Sequence, residues 1–332
     1  MTQKFLKYAL VLGGGGFIGF HLVRRLVSEG YWVRAVDLKY PEFCKTVAHD
    51  FVIADLRNFE HFKEILCHPF QLDSSFDEIY QFAADMGGAG YLFSGKNDAQ
   101  IMRNSISINV NLLTALSSQR VPSSIFFASS ACVYPTYNQD NSSSPLCCEE
   151  SVYPANPDSE YGWEKLFSER LYLAHAKSLD CNIKIARFHG IFGPYGTWNG
   201  GKEKAPAAIC RKVASASSEI EVWGDGQQTR SFLYIDDAIE AIIKFMNSSF
   251  NGPLNIGSEH LISINAFARL VIKISRKNLT IINTPGPQGV RGRISDNSMI
   301  KEMLAWAPSE NLEHGLEETY AWILSQLMHT CD

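Results

Sequence analysis

Tyr8-Ala9-Leu10-Val11-Leu12-Gly13-Gly14-Gly15-Gly16-Phe17-Ile18-Gly19 is the stretch on which the fold turns. A short apolar run leads at once into glycines, and a helical pattern follows through Leu22, Val23 and Leu26. Strand, glycine turn and helix in that order make the glycine spacing a phosphate-site argument. Gly13 permits the tight turn, Gly16 lets the backbone approach a pyrophosphate, and Gly19 lets helix and strand pack closely. The pyrophosphate would sit on the free N–H groups at the helix N-terminus, around Phe17 and Ile18.

Working outward, a second strand over 32–36 ends in Asp37, about 20 residues after the glycines, where an acid accepts both ribose hydroxyls of an adenosine half. A carboxylate there repels a 2′-phosphate, so NAD is expected over NADP. Asp55, closing the run Phe51-Val52-Ile53-Ala54, is expected beside the adenine. Residues 78–83 read as the next buried strand, running into Asp85-Met86-Gly87-Gly88-Ala89-Gly90. Ligands of open parallel sheets bind beyond the carboxyl ends of the strands, so this loop is read as one a substrate approaches. A helix from Asp98 and a strand over 124–128 follow, the latter ending in Ser129-Ser130-Ala131-Cys132-Val133-Tyr134-Pro135. The alternation predicts an α/β chain with a Rossmann-type, doubly wound parallel sheet, and the length suits one large α/β unit or two closely joined lobes. The expected boundaries are 1–188 for the nucleotide-binding part, with parts of 225–260 interleaved, and 189–332 for the rest.

Composition narrows the function classes. With 332 residues, 45% apolar and 20% charged, the chain has ordinary globular values and enough length for a large core. A net charge of −5 offers no general attraction for nucleic acid. No apolar run reaches the roughly 18 residues of a membrane span, and Met1-Thr2-Gln3-Lys4 reads as leading into the first strand without a secretory segment. The eight cysteines show no Cys-x-x-Cys spacing. That points to reduced thiols, no metal site and a cytoplasmic location.

Tyr161-Gly162-Trp163-Glu164-Lys165 places a phenol and an ammonium one turn apart on a helix face. The ammonium favours the phenolate, making a base for a sugar or alcohol hydroxyl. Surface helices carry such pairs by chance. The nucleotide-binding start and the Ser-rich strand end about 30 residues upstream give this pair its meaning. Ser130 is the expected partner that hydrogen-bonds the substrate oxygen. Cys132, two residues on, is expected on the same side of the strand end by period-2 geometry.

In the second half, Arg187-Phe188-His189-Gly190-Ile191-Phe192-Gly193-Pro194 leads into Tyr195-Gly196-Thr197-Trp198-Asn199-Gly200-Gly201-Lys202-Glu203-Lys204-Ala205-Pro206. So many glycines predict a loop over a ligand, with Pro206 opening the next helix. Lys202, Lys204, Arg211 and Lys212 concentrate positive charge. Residues 221–232 read as strand, glycine turn and second strand, delivering Arg230 to the cleft. Gly289 and Gly292 deliver Arg291 and Arg293. These arginines outline a second diphosphate site, and so a nucleotide-linked substrate besides the dinucleotide.

On these residues the chain resembles, over nearly its whole length, the extended short-chain dehydrogenase/reductase superfamily of nucleotide-sugar epimerases and dehydratases, which uses this Gly-x-x-Gly-x-x-Gly variant. Within it, the GDP-mannose 3,5-epimerase family is the nearest match. That rests on Ser129 to Pro135, Tyr161 to Lys165, the loop from Gly196 to Ala208, Trp223 to Gly226 with Gln228 to Phe232, and Gly289 to Arg293 with Ser295 to Asn297. The resemblance implies a Rossmann domain with a smaller α/β substrate-binding lobe interleaved near the C-terminus, bound NAD, a GDP-mannose-type substrate and a homodimer built on the helices starting near Asp98 and Tyr161. It implies redox roles for Ser130, Tyr161 and Lys165, with Cys132 and Lys204 as the acid/base pair at carbon. It also implies a substrate site including Gly90, Ala131, Glu203, Ala205, Lys212, Gln228, Thr229, Arg230, Ser231 and Arg293. Gly190 stands where the family pattern has an amide, which admits a modified GDP-hexose or a GDP-heptose.

The chemistry agrees with these residues. A sugar C–H is not acidic, but a ketone at C4 makes the hydrogens at C3 and C5 removable. Inversion then needs two groups, one to take a proton and one to return it on the other face. A thiol serves either way, and a buried lysine is a suitable partner. The nearest rival is a GDP-4-keto-6-deoxymannose epimerase/reductase, which pairs its Cys with a His and consumes NADPH; His189 favours it, while Asp37 and Lys204 oppose it. A 4,6-dehydratase needs an acidic pair where Ala131-Cys132 stands. A non-catalytic NAD-sensing protein is expected to have lost the Tyr, the Lys or the acid/base pair.

Overall fold

Tyr8–Leu12 (β1) lies inside a seven-stranded parallel sheet. Its neighbours are Trp32–Asp37 (β2) and Glu78–Gln81 (β4). Asp50–Ile53 (β3), Ser124–Ser130 (β5), Asn182–Phe188 (β6) and Leu254–Ile256 (β11) complete the order β11-β6-β5-β4-β1-β2-β3. The computed structural model describes residues 5–70, 74–118, 121–145, 147–287, 289–309 and 311–329. Residues 1–4, read above as leading into the first strand, and Cys331 lie outside the described residues.

The sheet is covered on both faces, so β1 is apolar almost throughout rather than alternating. Ala9 and Val11 face one core, shared with Leu22, Val23 and Leu26 of Phe17–Ser28 (α1) and with Ile235–Met246 (α7). Leu10 and Leu12 face the other, shared with Phe62–Ile65 (α2), Asp98–Ser117 (α4) and Tyr172 of Glu160–His175 (α5). Ala89–Leu92 (α3) is one short turn after β4.

Three differences from the expected elements matter. Strand β4 stops at Gln81 because the Gln81 side chain bonds the Ala83 backbone at both N–H and C=O, each at 3.1 Å, in place of a ladder. Strand β5 runs on to Ser130 and then breaks into a tight turn, Ala131–Val133. The period-2 argument that aligned Cys132 with Ser130 therefore does not apply. It is the turn that joins them, the Cys132 N–H donating to Ser130 Oγ at 3.2 Å. Residues 221–232 do form a strand, a turn and a second strand, and the two strands belong to different sheets. Glu219–Trp223 (β8) pairs with Thr280–Thr284 (β13), while Thr229–Ser231 (β9) lies between Leu261–Ser263 (β12) and Gly292–Arg293 (β14).

Ile191–Phe192 (β7) pairs with Leu233–Tyr234 (β10), just before α7. Ala205–Ser215 (α6), Ile264–Ser275 (α8), Ser298–Leu304 (α9) and Leu312–His329 (α10) complete the elements. Among the described residues no helix is long and apolar enough to cross a membrane.

Candidate active site

The glycine turn after β1 has the geometry of a close backbone approach. Gly13 has φ +86°, and a β-carbon there would meet the Ala83 nitrogen at 2.8 Å. At Gly19 a β-carbon would lie 2.2 Å from the Gly13 carbonyl oxygen, so the helix can seat on the turn only as glycine. Gly16 caps α1 without any side-chain hydrogen bond, leaving the first helical N–H groups, at Phe17 and Ile18, open to an anion. At the end of β2, Asp37 accepts from the Gly15 N–H at 3.0 Å and the Leu38 N–H at 2.7 Å. Burial raises its carboxyl above the usual range against these hydrogen bonds. These residues fit the pyrophosphate and ribose of NAD. Asp55 is engaged elsewhere: Arg57 grips it at 2.6 Å and holds its carboxyl below the usual range.

Beyond the sheet, the redox residues meet where β5 ends. Tyr161 and Lys165 sit on the first turns of α5, whose N-terminus is capped by Ser159 Oγ accepting from the Gly162 N–H. Lys165 is buried, its Nζ 5.7 Å from the Tyr161 ring centre and donating to the Ala128 carbonyl at 3.1 Å. Burial, then the charges of Cys132 and Glu164, push the Tyr161 phenol above its ordinary value, while a hydrogen bond with Ser130 and the Arg293 charge pull it down. Glu169 anchors this end of the sheet. It takes a bidentate pair from Arg187, at 3.0 and 2.8 Å, and accepts from Ser129.

Cys132, only 9% exposed, receives an N–H from Arg293 Nη1 at 3.1 Å. Lys204 interacts electrostatically with Cys132, and burial lowers its ammonium below the ordinary lysine value. Lys204 is the N-cap of α6, which begins at Ala205, with Pro206 in the first turn where a missing N–H costs nothing. Glu203 pins the loop, accepting from the Gly201 N–H at 2.6 Å and from Arg211 at 2.8 Å.

The glycine loop after β4 does something the sequence reading did not assign to it. Gly88 donates to the Lys202 carbonyl at 2.9 Å, and Lys202 reaches Asp85 at 3.4 Å and covers the Tyr91 ring. The loop is thus the seat on which the Lys204 segment rests. Gly90 faces Trp223, over which Lys212 also lies while donating to the Glu221 carbonyl at 2.7 Å. Burial lowers the Lys212 ammonium.

The remaining expected substrate residues cluster on β9 and β14, where Arg230 and Arg293 are direct register partners. Burial, then Arg293, push the Arg230 guanidinium down to about 10. Its Nη atoms donate to the Thr229 and Val290 carbonyls at 2.7 and 2.8 Å. Thr229 donates to the Ser142 carbonyl, and Ser231 accepts from the Ser295 N–H. Gln228 donates to the Trp223 carbonyl, while its Oε1 is buried without a hydrogen-bond partner. Arg293 is fully committed in direction: Nε to Gln139 at 2.6 Å, Nη2 to Asp158 at 2.8 Å, Nη1 to Cys132. Gln139 and Asp158 were not singled out from the sequence, since nothing local marks a partner so far along the chain. Arg291 lies outside this group, paired with Asp225 at 3.1 Å on the surface.

Two positions bear on the rival chemistry and on the substrate. His189 is buried, its Nε2 2.9 Å from Asn255 Oδ1, which already accepts from Tyr134. Nε2 therefore carries the proton and Nδ1 is left without a partner. Burial, against the Asn255 bond, lowers this imidazole to about 3, so it is no acid at neutral pH. Gly190 has φ +54°, and a β-carbon there would lie 2.3 Å from the Ser231 carbonyl oxygen. The strand β9 has closed onto the space an amide would need.

Known proteins show the same organisation. Residues 9–257 match the model of the NAD dependent epimerase/dehydratase family. GDP-mannose 3,5-epimerase 1 of Oryza sativa subsp. indica is 42% identical over 96% of this chain and 82% of its own length. The GDP-mannose 3,5-epimerase of Arabidopsis thaliana is similar to the same extent, at 42%, 96% and 82%. Among solved structures, UDP-glucuronic acid 4-epimerase from Bacillus cereus, in complex with UDP-glucuronic acid and NAD, superposes with a TM-score of 0.79 at 25% identity, covering 96% of this chain and 99% of that one. A family match over most of the chain, on a sheet whose first turn is shaped for a dinucleotide, leads to one assignment: the chain belongs to the NAD dependent epimerase/dehydratase family.

Proposed function

We propose that the protein is a nucleotide-sugar 3,5-epimerase acting on GDP-mannose or a closely related GDP-hexose or GDP-heptose. The observation that carries this is the meeting of two kinds of chemistry at one strand end. Tyr161, whose buried phenol depends on neighbouring positive charge to act as a base, is hydrogen-bonded to Ser130, and beside them Cys132 and Lys204 form a pair suited to proton exchange at carbon. The 42% identity to plant GDP-mannose 3,5-epimerases supports the sugar, and Gly190 is the reason to keep its relatives in view.

NAD, when bound, supplies the reversible two-electron oxidation of the sugar carbon. Tyr161 takes the proton of the C4 hydroxyl, with Ser130 bonding the same oxygen and Lys165 supplying positive charge behind the ring. The resulting ketone makes the C3 and C5 hydrogens acidic. Cys132 from the strand end and Lys204 from the covering segment then remove and return protons, each contributing about 10²–10⁴-fold. Tyr161 finally returns its proton to the C4 oxygen as the hydride is given back to C4, so no net redox change remains. Arg230 and Lys212 supply the charge that meets the diphosphate, while the nitrogens of Arg293 are held by Gln139, Asp158 and Cys132.

A homodimer is proposed on α4 and α5, where Trp163 and Phe167 are 40% and 48% exposed one turn apart and Val110 is 39% exposed. A cytoplasmic location is proposed from the cysteines, all free among the described residues.

The test is incubation of the purified protein with GDP-mannose in D₂O, first without and then with added NAD, followed by NMR and mass spectrometry. Deuterium at C3 and C5 with new GDP-hexose diastereomers is expected. No exchange under either condition rejects this substrate and directs the search to other GDP-sugars.

A further inference from the structure

Asp158 lies two residues before the catalytic helix, and its buried carboxylate takes the N–H of Arg293 Nη2 at 2.8 Å. Its other oxygen accepts from Ser159 Oγ at 3.1 Å, the same hydroxyl oxygen that caps the Gly162 N–H. Arg293 in turn touches the Cys132 sulfur. One carboxylate therefore ties the helix of Tyr161 and Lys165 to the cation on the thiol.

We propose that Asp158 is a positioning residue that holds Arg293 against Cys132 and offsets its charge, keeping Cys132 able both to release and to recover a proton. The charge balance makes this necessary. Arg293 from β14, Arg230 from β9 and Lys204 ahead of α6 all interact with Cys132, with Tyr161 of α5 and Cys147 close by. Against these cations, Asp158 is the carboxylate that interacts with both arginines. In the enzyme without substrate, removing this carboxylate leaves the three cations facing the sulfur without its offset, and uncompensated positive charge favours a thiolate over a thiol. Gln139 on Arg293 Nε aims the guanidinium but carries no charge, so it cannot provide the offset.

The use of this arrangement in catalysis rests on the acid/base role proposed for Cys132, but the thiol's own behaviour can be read without any sugar. The rate of iodoacetamide labelling of Cys132 is followed against pH by mass spectrometry of its peptide, with Cys132→Ser as background. Asp158→Asn keeps the shape and a hydrogen-bond acceptor while removing the charge. It is expected to move the labelling profile to lower pH and to raise the rate at neutral pH about three- to tenfold. Asp158→Glu is expected to keep the wild-type profile. If the asparagine variant does not fold, Asp158→Ser removes the same charge and repeats the test. A profile unmoved by charge removal, or moved to higher pH, overturns the proposal. Because no substrate is present, that result is separable from a failure of the epimerase reading, in which sugar exchange is absent while the labelling profile still shifts.

Discussion

Gly88 and Glu203 are in contact so close that a β-carbon on Gly88 would stand 2.0 Å from the Glu203 carbonyl oxygen. Backbone on both sides leaves nothing flexible to give way. Gly88→Ala is therefore expected to lift the segment that carries Lys204. A displacement of about 1 Å at a reacting group costs on the order of 10²-fold. Deuterium exchange at the sugar should fall by that order while NAD binding, measured by fluorescence titration, stays unchanged.

Removing the carbon acid/base groups and removing the phenol should stop the reaction at different points. Cys132→Ser and Lys204→Met are each expected to reduce exchange by about 10²–10⁴-fold while leaving the first oxidation possible. Reduced nicotinamide absorbance would then build up on mixing with substrate. Tyr161→Phe is expected to show neither exchange nor that absorbance. Full activity in Tyr161→Phe would overturn the mechanism.

The buried imidazole of His189 links stability to acid. Its folded value is about 3 against 6.5 for a free imidazole. Between these, the unfolded chain binds a proton that the native one refuses, so this contribution is complete above about pH 6.5 and is lost as pH falls toward 3. His189→Gln should be less stable near neutrality, by about 1–3 kcal/mol for the disturbed hydrogen bonds. Thermal midpoints of the two proteins should converge as pH falls. A constant gap would show that His189 is not the titrating group.

Trp163 and Phe167 offer the proposed dimer its apolar contact. Phe167→Glu places a charge there and removes a side chain whose burial is worth about 1.5–3 kcal/mol. Analytical ultracentrifugation should show dissociation to monomer at concentrations where the parent is dimeric. A parent that is monomeric throughout would remove the proposal.

What the sequence disclosed was local. Gly13, Gly16 and Gly19 are legible because backbone geometry constrains them within seven residues, and the Tyr161/Lys165 pair because a helix turn does. What stayed hidden needs partners brought together by the fold. Arg293 reaches back across the chain to Gln139 and Asp158, and no periodicity in either segment announces it. Gly88 reads equally well as a place for a ligand or for another piece of backbone, and only the packing distinguishes them. The Ser130/Cys132 alignment rests on a strand period that ends two residues too early.

Gly190 and Ser231 constrain what residue 190 can be. Asparagine tolerates a left-handed backbone, but its β-carbon has no room while the Ser231 carbonyl stands 2.3 Å from where it would be. An amide at 190 therefore requires the 229–231 strand to move, and the side chain at 190 and the present course of that strand exclude one another.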